Sequence, residues 1–176
     1  MLKTLRTIAS IGIVSELPPP TDESLRVREA LQDGIRAVLG RALCIRHVDA
    51  GSCNGCELEI HALDNPLYNI EGLGIRFVAS PRHADLLLVT GPVSAHMATA
   101  LRRTYDATPD PKLVVAVGDC GCTGGIFGES GASLGRVSNV IPVDVAVPGC
   151  PPRPERLLQA ILTAVAPTGA RQSRDD

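Results

Sequence analysis

The 176-residue chain has no tryptophan and only two phenylalanines and two tyrosines. Its core must therefore be built from Leu, Ile, Val and Ala, and it lacks the aromatic platforms on which single-stranded nucleic acids stack. An excess of one charge is missing too. The 17 Lys and Arg against 19 Asp and Glu leave a formal net charge of -2, mixed along the chain. That argues against nucleic acid as a partner and against a polybasic membrane tail. No stretch approaches the roughly 20 apolar residues that span a bilayer, so membrane attachment is expected only through partner chains. Lys3 and Arg6 precede a short apolar stretch, Ile8 to Val14, in the manner of a secretory leader. Ser10 and Gly12 interrupt it, however, no clean cleavage site follows, and paired arginines are absent. A cytoplasmic protein is expected.

What the chain does have is cysteine in unusual settings. Of six cysteines, Cys53 and Cys56 form CNGC, Cys120 lies in GDCGC and Cys150 in PGCPP. Disulfides are not needed by a chain of this length and aliphatic content. Thiolates are the ligands of iron-sulfur clusters, four per cluster as a rule. Gly51, Gly55, Gly118, Gly121, Gly124 and Gly125 would let backbone N–H groups approach the sulfurs, and the proline after Cys150 stiffens its loop.

The pattern of apolar residues divides the chain into a leading segment over 1–42, an α/β domain over 43–166 and a tail over 167–176. Pro18-Pro19-Pro20 closes the first stretch, and Thr21 is placed to cap an amphipathic helix reaching about Leu39. Its apolar face, Leu31, Ile35, Val38 and Leu39, serves either its own domain or a partner subunit. Strands are expected at Cys44 to Asp49, Ile75 to Val78, Asp85 to Thr90, Leu113 to Val117 and Pro142 to Val147. Several are continuous apolar runs, as in a mostly parallel sheet covered on both faces. Helices are expected over Val93 to Tyr105, with Met97, Ala100, Leu101 and Tyr105 as its core face, and over Pro154 to Val165. Each cysteine loop then follows the carboxyl end of a strand, the edge where open parallel sheets bind ligands.

The runs HVDAGSCNGCELEI, GIRFVASPRHADLLLVTGPVSAHMATALRRTYDATPDPKLVVAVGDC and IPVDVAVPGCPP, within about Leu43 to Leu162, carry a resemblance. They resemble the family that joins the small subunit of membrane-bound, energy-converting nickel-iron hydrogenases, of the formate hydrogenlyase type, with the 20 kDa subunit of respiratory complex I, the NADH-quinone oxidoreductase. The resemblance implies a flavodoxin-like domain with helices on both faces of the sheet. It also implies one 4Fe-4S cluster on Cys53, Cys56, Cys120 and Cys150. The complex I subunit resembles this chain but has adjacent cysteines at the first site, whereas Cys53 and Cys56 are spaced in the hydrogenase form. The implied role is electron transfer between a nickel-iron site in a partner large subunit and further, ferredoxin-like iron-sulfur subunits. The membrane subunits would be reached indirectly, with the chain peripheral on the inner face of the cytoplasmic membrane. In the complex I alternative the partner would be a 49 kDa-like subunit. The chain would be part of an oxidoreductase and catalyse nothing complete alone.

Other residues near these loops stay open. Cys122 either competes with Cys120 or is an unligated thiol, and the family pattern, which aligns on the GDC cysteine, favours the second. Cys44 reads as a small buried hydrophobe. Glu57 either carries protons for a partner site or simply caps the helix that begins beside it, the simpler reading. Arg82 and His83 either tune the cluster by their charge or pack at a subunit interface. Arg46, His47 and Asp49 lead into the first cysteine loop without an assigned role. A structural zinc module is the alternative of another class, although zinc usually draws paired Cys-x-x-Cys knuckles and only one is present. A thioredoxin-like dithiol would leave Cys120 and Cys150 unexplained.

Overall fold

The run Leu86–Thr90, four aliphatic residues and a threonine, has all five residues buried. A strand whose two faces are both apolar can only lie inside a sheet covered on each side. In the computed structural model it is the middle of five parallel strands: β1 Leu43–Asp49, β2 Ile75–Phe77, β3 Leu86–Thr90, β4 Leu113–Val117 and β5 Val145–Val147, in the order β2-β1-β3-β4-β5. This 2-1-3-4-5 order is that of flavodoxin-like doubly wound sheets. The structure describes residues 41–165 and, in the leading segment, Arg6 and Asp33 alone. The helix expected from Thr21 to Leu39 lies outside the described residues apart from Asp33, which is helical, and so does the tail expected after 166.

Among the described residues 41–165, four helices complete the layers: α1 Gly55–Ala62, α2 Ala95–Ala107, α3 Gly118–Thr123 and α4 Pro154–Val165. Alternation along the strands sends side chains to opposite faces. Leu86 and Leu88 therefore join one core with Ile60 of α1 and Leu157 and Ile161 of α4. Leu87 and Val89 join a second core with Leu101 of α2 and Val137, which opens a 3-10 turn over Val137–Asn139. Proline at the first position of α4 suits a site with no N–H to lose. Ser94 caps α2, its hydroxyl accepting from the Met97 N–H at 3.3 Å.

Two expectations change. Strand β5 begins at Val145 rather than near Pro142, because the Asp144 side chain, not a ladder carbonyl, accepts the Val114 N–H at 2.8 Å. On α2 only Leu101 is buried; Tyr105 is half-buried under Lys112, whose ammonium lies 4.3 Å from the ring, and Ala100 is exposed. The helix starts two residues later than the apolar pattern indicates, at its serine cap.

Leu157 is fully buried where α4 meets the sheet. Leu157→Ala is expected to destabilise the chain by about 2–5 kcal/mol through lost transfer energy and a residual cavity, read as a lower midpoint in chemical denaturation.

Candidate metal centre

The registers decide where the loops begin. Asp49 of β1 pairs with Thr90 of β3, Thr90 with Val117 of β4, and Val117 with Val147 of β5. Four strand ends thus stand abreast, and the chain leaves three of them into a cysteine loop. In the first loop the Asp49 carboxylate accepts from the N–H groups of Gly51 and Ser52, both at 2.8 Å, and the Ser52 hydroxyl accepts from the Asn54 N–H at 3.1 Å. Such a side-chain turn replaces a backbone turn. It leaves Cys53 before α1 and Cys56 in its first turn.

The second loop opens α3 with Gly118 at φ +80°, where an added Cβ would lie 2.6 Å from the Cys56 sulfur. Only glycine allows both the backbone conformation and that approach. Gly125, at φ +54°, similarly leaves room for the Cys120 sulfur, 2.8 Å from where its Cβ would stand. The residues that follow, Ile126 and Phe127, are 94% and 55% exposed. In the third loop Gly149 donates its N–H to the Asp119 carboxylate at 2.8 Å and accepts from the Asp119 N–H at 2.9 Å.

Cys53, Cys56, Cys120 and Cys150 line one small cavity of about 40 Å³. Cys53 and Cys150 are exposed, Cys56 and Cys120 half-buried. Burial pushes the Cys56 thiol up to about 12, and the negative charge of Glu57 and of the other three cysteines pushes the same way. Cys120 is raised by burial and then by Cys150, Cys53 and Asp119. Thiols that oppose one another's ionisation need a cationic body to hold them together as thiolates, which is what a metal centre supplies. Among the described residues no three His, Cys, Asp or Glu side chains are close enough to share a single ion. Four thiols lining one cavity are a donor set of the kind that holds an iron-sulfur cluster.

The sequence of residues 53–164 matches the family described as NADH ubiquinone oxidoreductase, 20 Kd subunit. The chain belongs to that family. One relative is the probable membrane-bound hydrogenase subunit mbhJ of Pyrococcus furiosus, 48% identical over 72% of this chain and 76% of the relative. Another is an NADH-quinone oxidoreductase subunit of Desulfovibrio desulfuricans, 46% identical over 70% of this chain and 66% of the relative. Among solved structures, that of the membrane-bound sulfane sulfur reductase, an archaeal respiratory membrane complex, has a chain that superposes with a TM-score of 0.63 at 35% identity. The match covers 78% of this chain and 74% of that one. This 20 kDa subunit family is thus one of oxidoreductase subunits, and the fold seen here is the one it implied.

Within this family member the remaining residues find their places. Cys122 points away from the cavity: its thiol donates to the Ala116 carbonyl at 3.5 Å and packs against the α2-side core, and burial raises its pKa. Cys44 is buried in β1. Glu57 does not cap α1. Asn54 holds the cap position without a side-chain bond, while the Glu57 carboxylate is buried with neither oxygen hydrogen-bonded. Beside it stands the His47 imidazole, whose Nε2 lies 3.6 Å from Oε1 and 3.0 Å from the Thr90 hydroxyl. Arg46 Nε is likewise buried without a partner. Arg82 and His83 are exposed in a 3-10 turn, Pro81–His83, before β3. They sit at the amino edge of the sheet, the five residues of β3 at about 3.3 Å each away from the cysteine loops, too far to act on a cluster there. Asp49 and Asp119, the residues that shape the loops, carried only one signal in the sequence: a carboxylate within two residues of a post-strand glycine.

Two outcomes are expected of the cluster-free chain. Glu57→Gln brings the Cys56 titration down from about 12, because one of the charges raising it is gone; the pH dependence of thiol alkylation, followed peptide by peptide, reads it. Burial holds the His47 imidazole below its ordinary pKa, against the pull of Glu57 and Asp49. Its contribution to stability is therefore fully present above about pH 6.5 and is lost as pH falls toward the lowered folded-state value. His47→Gln should flatten the stability change on acidification from neutral pH.

Proposed function

We propose that this chain is an electron-transfer subunit. It carries one 4Fe-4S cluster on Cys53, Cys56, Cys120 and Cys150 and passes electrons between a nickel-iron site in a partner large subunit and further iron-sulfur subunits of a membrane-associated hydrogenase complex. The observation that carries this reading is that four thiols from three separate loops line one cavity at the aligned strand ends. When bound, the cluster supplies one-electron chemistry.

The chain's own residues hold and tune it. Asp49, through its turn, sets the entry of Cys53 and Cys56, while Gly118 and Gly125 give the sulfurs room. Glu57 and Asp119 place negative charge beside the site, which disfavours an added electron and lowers the potential. Exposed Cys53 and Cys150 leave one side of the site open to a partner, and the exposed Ile126 and Phe127 follow Gly125, which packs against Cys120. Among the described residues no helix is long and apolar enough to cross a membrane, so attachment falls to partner subunits, with the chain peripheral on the cytoplasmic side. Structural zinc usually draws paired Cys-x-x-Cys knuckles, and Cys53 and Cys56 form a single such pair, which favours a cluster. The hydrogenase reading over the quinone-reductase one rests on the Cys53-Asn54-Gly55-Cys56 spacing.

Serine replacement of Cys53, Cys56, Cys120 or Cys150 should abolish the brown iron-sulfur absorbance, while Cys44→Ser and Cys122→Ser should leave it nearly intact. Loss on Cys122→Ser with retention on Cys120→Ser would overturn the ligand set. The chain reconstituted alone under anaerobic conditions should hold about four iron, and metal analysis of the complex purified anaerobically from its native host should give further iron together with nickel in the large subunit. Iron without nickel would move the chain to the quinone-reductase side, and zinc without iron would sink both.

A further inference from the structure

Beyond the four thiols, Asp119 is, among the described residues, the only charged one lining the cavity. Its hydrogen bonds are not those of a carboxylate settled at the start of its own helix. The β4–β5 ladder ends at the pair Val117 and Val147, because β4 turns directly into α3 at Gly118. Two residues further on, where main-chain pairing has ceased on the β4 side, Asp119 still donates its N–H to the Gly149 carbonyl at 2.9 Å. Its carboxylate then takes the place of the missing ladder carbonyl and accepts the Gly149 N–H at 2.8 Å. Cys120 and Cys150 each follow immediately after one member of this pair. Their separation is therefore tied through a two-way bond between residues 119 and 149.

We propose that Asp119 is a positioning residue: its carboxylate ties the Cys120 loop to the Cys150 loop, and its charge, facing the same cavity, holds the potential of the bound cluster down. Replacing the carboxylate by an amide preserves the acceptor oxygen and removes the charge, whereas replacing it by a methyl group removes both. The two functions are thus separable by substitution. Because Asp119 is exposed, the charge effect is screened by salt, while the clamp, a hydrogen bond, is much less so. This inference rests on the cluster reading of the site.

The test uses the full chain in its complex, with Asp119→Asn and Asp119→Ala. Asp119→Asn should retain wild-type iron content and electron paramagnetic resonance signal, with a midpoint potential shifted positive by an amount that shrinks as ionic strength rises. Asp119→Ala should show the same direction of shift, an altered signal and several-fold faster loss of iron to a chelator. Wild-type retention, signal and potential in both variants would overturn the proposal. If Asp119→Ala does not fold, the Asn variant alone decides, an unshifted potential overturning the charge role. A wild-type chain that binds no iron would instead sink the cluster reading. The clamp is then judged on amide exchange at Gly149, which should be slowed in wild type and in Asp119→Asn; equal protection in Asp119→Ala would overturn it.

Discussion

Parallel pairing in register is the constraint on which the site depends. Each parallel strand must be re-entered from the same end, so every carboxyl terminus faces one edge. Here the pairing also brings Asp49, Thr90, Val117 and Val147 level. Side chains widely separated in sequence are delivered to one edge by hydrogen bonds that involve none of them. The sheet is held by two apolar cores, one on each face, and the first cysteine loop is rooted in both: Ala50 belongs to one core and Cys56 packs against the other. The scaffold thus anchors that loop at its two ends, while turns and glycines shape what lies between.

Electrostatics pull the other way. The loops gather four thiols, two of them with raised pKa, and add Glu57 and Asp119. The Glu57 carboxylate is buried with neither oxygen hydrogen-bonded, and the His47 imidazole lies 3.6 Å away. Buried polar groups without partners are rare and ask for an explanation. A site crowded with acceptors and poor in donors is unfavourable alone and favourable around a cationic centre, so the cost of assembling it and the affinity of the proposed cluster would have one origin.

Much of this was legible in the sequence, for identifiable reasons. Continuous apolar runs announce strands covered on both faces, and β4 and α4 lie where the pattern put them. The four cysteines stood out because they lie among glycines or prolines just past the ends of such runs. Less legible were features set by a single side chain acting on a distant backbone. The start of β5 depends on Asp144 bonding to Val114, and the meeting of two loops on Asp119 bonding to Gly149. Periodicity says nothing about either. Glu57 misled because a first-turn acid usually faces water, whereas α1 turns this one inward toward β1. Arg82 and His83 were close in sequence to a strand that reaches the site, but they stand at its other end.

The wide spread of the thiols along the chain also orders events in time. Cys150 follows the last strand, so a ribosome must have released nearly the whole domain before the thiol set can be complete. The CNGC loop, synthesised early, would wait as an open pair of thiols until β4 and β5 had docked beside β3. Loading of the proposed cluster would thus follow synthesis and sheet formation, since a nascent chain meeting iron too soon would offer only part of the four-thiol set.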